Sequence, residues 1–82
     1  MAILFKTDGT VEKRIVKSLK DAQELVEGYI EVIKISNLHY VICNEDGLSK
    51  QLPKNNLSLA LTGRELVGNI LLILYDEFDG LE

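Results

Sequence analysis

Six consecutive apolar residues, Ile70 to Tyr75, set the problem that the rest of this chain must solve. A strand with one wet face alternates apolar and polar positions, whereas an unbroken run needs cover on both faces. The run is far shorter than the roughly 20 residues of a membrane-spanning helix. It therefore reads as an inner strand, covered by a sheet and helix of the same chain or by another subunit.

The flanking sequence supplies that cover. Met1 to Thr7 reads as a strand, Asp8-Gly9 as a type I′ hairpin turn and Val11 to Val16 as the returning strand. The charges of Glu12, Lys13 and Arg14 suit a sheet edge. Ser18 is an N-cap with Asp21 in the first turn behind it. Leu19, Ala22, Leu25 and Val26 form one helical stripe, and Gly28 is expected to close the helix in the left-handed conformation.

Tyr29 to Ile35 and Leu38 to Asn44 are β-rich around a turn at Ser36 to Leu38. A two-residue loop there would set Glu31 opposite Asn44, Ile33 opposite Ile42 and Ile35 opposite Tyr40 on one sheet face. Ile30, Val32, Val41 and Cys43 would take the other face, and a slip of one residue would reverse the assignment. After the Glu45-Asp46-Gly47 turn, Ser49 to Leu52 reads as short and extended. Asn55 or Asn56 can cap a short helix that runs through about Ala60 and ends near Gly63. The order is β-β-α-β-β-(short α)-β, an α+β fold with a small mixed or antiparallel sheet packed on one main helix.

A chain of 82 residues accommodates one domain, read here as residues 1–75 with an acidic tail over 76–82. Asp76, Glu77, Asp79 and Glu82 carry the whole net charge of −4, so the body before them is neutral. A neutral body lacks the broad positive field of a general nucleic-acid binder. The basic cluster Lys13, Arg14, Lys17 and Lys20 is interrupted by Glu12, Asp21 and Glu24, and the aromatic residues are too dispersed for a stacking platform. Met1 to Phe5 is too short for the apolar core of a signal peptide. The expectation is a cytoplasmic protein with no membrane partner. So small a core is commonly reinforced from outside, and the single Cys43 forbids an internal disulfide, which leaves oligomerisation.

HExxH, the phosphate-binding glycine-lysine loop, GxSxG and GxGxxG do not occur, and no cofactor is expected. Cys43 and His39 lie four apart on one strand, two spacings from each other and too distant for a direct hydrogen bond. One Cys and one His cannot build a zinc site. Glu31 and Glu45 bracket the second hairpin and are the acids best placed for acid–base or magnesium chemistry. Surface or structural roles suit them better, and the chain reads as a binder and not an enzyme. Tyr29, Tyr40, Glu31, Asn44, Asn55, Lys50, Lys54 and Arg64 would hold a nucleotide through stacking, base-edge hydrogen bonds and phosphate contacts.

The ordered set Gly28-Tyr29-Ile30-Glu31, Asn44-Glu45-Asp46-Gly47, Leu52-Pro53-Lys54-Asn55 and Gly68-Asn69-Ile70 resembles a family of short domains of unknown function found mainly in bacteriophage genomes. The likeness covers about Leu25 to Ile73, leaving the Asp8-Gly9 hairpin and the acidic tail outside it. It implies a phage accessory protein made in the host bacterial cytoplasm. Such proteins include sponges, oligomers that sequester the cyclic nucleotide signals of antiviral defence without converting them. On that reading Tyr29 contacts a base or ribose, Glu31, Asn44 and Asn55 read polar edges, and Arg64 or Lys50 meets phosphate. The pockets would lie between subunits of a dimer or tetramer. The alternative is a protein-interaction module that inhibits a host protein through its apolar sheet or acidic tail.

Overall fold

In the computed structural model, which describes residues 1–81, the apolar run is strand β7 (Ile70–Leu74), and it occupies the centre of the sheet. Two hairpins flank it. The first joins β1 (Ala2–Phe5) to β2 (Val11–Arg14), and the second joins β3 (Ile30–Lys34) to β4 (His39–Asn44). The five strands run in the order β2-β1-β7-β4-β3 and every pairing is antiparallel. Leu71 lies between Leu4 and Ile42, so the last strand closes a gap between hairpins made far earlier in the chain.

Helix α1 (Leu19–Val26) covers one face. Its N-terminus is built as the sequence predicts: Ser18 Oγ accepts from the Asp21 amide, and Asp21 Oδ2 accepts from the Lys17 amide. Ala22 and Val26 bury their side chains against Ala2, Leu4, Ile42, Leu71 and Ile73. The opposite face carries Val41, Cys43 and Ile70 and is covered by a small lobe. That lobe comprises β5 (Lys54–Asn55), α2 (Ser58–Thr62) and β6 (Leu66–Val67). Its short β5–β6 pair has no apolar alternation of its own, which is why the sequence reading did not find it. Helix α2 begins at Ser58 instead of directly after Asn55 or Asn56, while its end at Gly63 agrees with expectation.

The second hairpin departs from the expected register by one residue. Ile30 lies opposite Asn44, Glu31 opposite Cys43, Val32 opposite Ile42 and Ile33 opposite Val41. The cause is the turn: Ile35 and Ser36 amides both donate to the His39 carbonyl, and Ser36 Oγ accepts from the amides of Leu38 and His39. The loop is longer than the two residues assumed, so Glu31, Ile33 and Cys43 share the lobe face, while Ile30, Val32 and Ile42 face α1.

Local expectations changed at four further places. The first turn is not type I′, because only Gly9 takes positive φ; Gly9 N donates to Lys6 O and Lys6 N to Thr10 O, the pattern of a three-residue loop with a glycine bulge. Glu27, not Gly28, is left-handed at the end of α1, with φ 66°. Glycine is still needed next to it, since a Cβ at Gly28 would stand 2.6 Å from Lys50 Nζ and 2.8 Å from Asn44 Nδ2. Ser49 to Leu52 is not extended: Lys50 N donates to Asp46 O and Leu52 N to Gly47 O, which winds the segment into successive turns. Finally, Tyr75–Asp79 forms helix α3 where a frayed tail was expected. Tyr40 packs edge-on against Tyr75 and Phe78, and the Met1 amino group pairs with Glu77. Glu82, the last residue of that expected tail, lies outside the described residues.

Asn55 ties the lobe to the sheet. Its Nδ2 donates to Phe5 O (2.8 Å) and Gly68 O (3.0 Å), and its Oδ1 accepts from Leu57 N (3.1 Å). Replacing Asn55 with Ala leaves buried or part-buried backbone groups on three segments without this partner, at about 1–3 kcal/mol for a buried group left unpaired. We expect a loss of about 3 kcal/mol in urea unfolding for Asn55→Ala, against less than about 0.5 for the exposed Asn56→Ala.

Candidate ligand cleft

The observed register brings Glu31 of β3 and Cys43 of β4 to one corner of the lobe face. The turns after β4 supply Glu45 and Ser49, and the connection from α2 to β6 supplies Arg64 and Glu65. Together they line a cleft of about 130 Å³. Glu31 Oε2 stands 3.8 Å from Arg64 Nη2, with both side chains about half exposed. At that separation the pair attracts weakly through solvent, and both groups keep hydrogen-bonding capacity for a third party.

Cys43 forms part of the cleft wall. Burial pushes its thiol up to about 11, the negative charge of Glu31 pushes the same way, and Arg64 opposes. The thiol is therefore protonated at neutral pH. Three carboxylates (Glu31, Glu45 and Glu65) outnumber the single guanidinium among the lining groups.

The six residues singled out in the sequence divide by location. Glu31, Asn44 and Arg64 line this cleft. Tyr29 does not line it: its carbonyl accepts from Glu45 N at 2.9 Å, continuing the β3–β4 ladder, and the residue is 69% exposed. Asn44 is buried and its amide serves the fold, donating to Val26 O (2.9 Å) and accepting from Asp46 N (2.8 Å). Lys50 sits at the end of α1, its Nζ 3.4 Å from Glu27 O, where a cation offsets the negative end of the helix. Asn55 faces a second cleft of about 170 Å³ shared with Lys54, Ser58 and Glu65. Glu65 and Ser49 are cleft residues that the sequence did not indicate, because neither carries a motif and only the lobe's docking brings them there. Among the described residues no group of three Cys, His, Asp or Glu side chains is placed to hold a metal ion.

A family model described as a domain of unknown function, DUF3846, matches residues 1–81. The chain belongs to this family. The DUF3846 match takes in the N-terminal hairpin and α3, both outside the stretch from Leu25 to Ile73 on which the likeness to short phage domains rested. No curated protein and no solved structure matches the chain. No helix among the described residues is long and apolar enough to cross a membrane.

The state of Cys43 gives a direct test of the cleft's chemistry. Alkylation by iodoacetamide should be slow at pH 8 in the folded protein and keep rising with pH until it levels off near about 11, whereas the denatured chain should level off near the ordinary value of 9.0. By linkage, a raised folded pKa means that stability from the neutral thiol is full below the unfolded value. It is then lost as pH rises towards the folded one.

Proposed function

We propose that the protein is a non-catalytic binding domain, and that its ligand is a cyclic oligonucleotide signal captured at the Glu31–Arg64 cleft without conversion. The observation that carries this reading is the loose Glu31–Arg64 pair, in which both charged groups remain open to a third partner. A guanidinium bonds phosphate oxygens in a planar fork, and a carboxylate accepts the paired N–H groups of a purine edge. Tyr29 offers a stacking surface two residues from Glu31 on the same strand path. The protonated Cys43 thiol is a poor nucleophile, which agrees with capture and not turnover. In this reading the protein is the phage-encoded sponge that its motifs suggest, and it silences a host defence signal by lowering its free concentration.

A protein partner is a second reading, favoured by two other observations. Carboxylates outnumber the guanidinium in the cleft, which suits a basic side chain better than a phosphate. In addition, Met1, Ile3, Leu72 and Leu74 line a small apolar hollow on the uncovered part of the sheet. On this reading a host protein docks across the hollow and the cleft.

A thermal-shift series with cyclic dinucleotides and trinucleotides separates the two. A ligand at 100 times its dissociation constant adds about 2.7 kcal/mol, a shift of roughly 10–20 °C for a domain of this size. The sponge reading expects that shift, its loss in Glu31→Gln and Arg64→Ala with melting otherwise retained, and recovery of intact ligand after denaturation. No shift with any cyclic nucleotide would discard the sponge, and ligand recovered in cleaved form would discard binding without turnover.

A further inference from the structure

Strand β3 is an edge of the sheet, and the hydrogen bonds of its hairpin fix which of its backbone groups are free. Ile35 N donates to His39 O and Tyr29 O accepts from Glu45 N, so odd-numbered residues direct their N–H and C=O groups at β4. The intervening residues Ile30, Val32 and Lys34 direct theirs away from the sheet, with no strand beyond them among the described residues. The other edge, β2, places Glu12, Lys13 and Arg14 in succession, a common guard against further pairing. By contrast β3 is apolar apart from one acid and one base, Glu31 and Lys34, whose charges cancel.

We propose that β3 pairs antiparallel with β3 of a second copy, centred on Val32, to make a continuous ten-stranded sheet across a two-fold axis. Two edges that expose the same alternating donors and acceptors satisfy each other only when outward-pointing residues face outward-pointing residues. Centring on Val32 meets that condition over the whole strand: Val32 faces Val32 of the partner subunit, and Ile30 faces Lys34 of the partner subunit. No like charges lie directly opposite. On the lobe face, Glu31 then lies opposite Ile33 of the partner subunit, and Tyr29 opposite Ile35 of the partner subunit. Ile33 and Ile35 are half-buried apolar residues in the single chain, and the pairing covers them further.

The arrangement also changes the cleft. Ligand pockets are commonly about 300–1,000 Å³, and the single-chain cleft of about 130 Å³ is well below that range. Paired edges would give it an apolar wall from the second copy and set the two Glu31–Arg64 pairs side by side on one face. This last step rests on the cleft being the binding site. The pairing does not, since it is argued from the free edge of β3 and its side chains.

The test reads mass without any ligand. Multi-angle light scattering on the untagged protein should give the mass of two chains at micromolar concentration. Val32→Pro removes an outward N–H and leaves the β3–β4 ladder intact, so it should give a folded single chain with wild-type far-UV circular dichroism. Should that variant fail to fold, Val32→Lys and Val32→Glu serve instead, because residue 32 meets itself across the axis. Each alone should be monomeric, and an equimolar mixture should recover the mass of two chains. A wild-type mass of one chain, or a dimer that survives these substitutions, overturns the pairing. Failure of nucleotide binding in a protein that still dimerises would instead count against the cleft reading.

Discussion

The insertion of β7 between the two hairpins is the interaction on which everything else depends. Each hairpin alone is a two-stranded ribbon, marginal in water. β7 gives both a third neighbour and brings Ile70, Leu71 and Ile73, all essentially inaccessible, into the middle of the sheet. Because Leu71 and Ile73 face α1 while Ile70 faces the lobe, the strand anchors both layers at once. A polar residue at any of these three positions would be buried without a partner. The closure also comes late in the chain, since β1 must wait for a strand some 70 residues further on.

The buried polar residues join the layers that hydrophobic burial only presses together. Asn44 links the end of α1 to the turn after β4, and Asn55 links the lobe to β1 and to Gly68. Ser58 adds to the second junction, donating to Asn55 O and accepting from Leu66 N. Each side chain satisfies backbone groups at places where no regular ladder could reach them. Close backbone approach completes the joints: a Cβ at Gly47 would meet Val67 Cγ2 at 2.6 Å, so the turn and β6 can touch only with glycine there. Much of the motif that suggested a ligand site is thus engaged in holding the lobe to the sheet.

The same docking creates the cleft. Glu31 is fixed by the β3–β4 register and Arg64 by the turn that ends α2, and neither element touches the other through a regular pairing. The result is a partly solvated ion pair beside a protonated, buried thiol. Because Glu31 belongs to both the edge strand β3 and the cleft lining, whatever pairs with β3 would also border the cleft.

The sequence alone determined the elements whose signals are local. The cap at Ser18, the stripe of α1, the edge character of β2 and the burial of Ile70, Leu71 and Ile73 from both faces all follow from residues within a few positions of one another. The α+β class follows from their order. Tertiary structure decided what depends on partners distant in the chain. The hairpin slipped by one residue because Ser36 wrapped the turn with its hydroxyl, and that slip moved Glu31 onto the face with Cys43. The segment read as a tail became α3 because Phe78 and Tyr75 find the Tyr40 ring. Of the expected site, Glu31 and Arg64 came together and Asn55 went to a separate cleft, because side-chain identity reveals a capacity for contact and only the docking of the lobe chooses the neighbour.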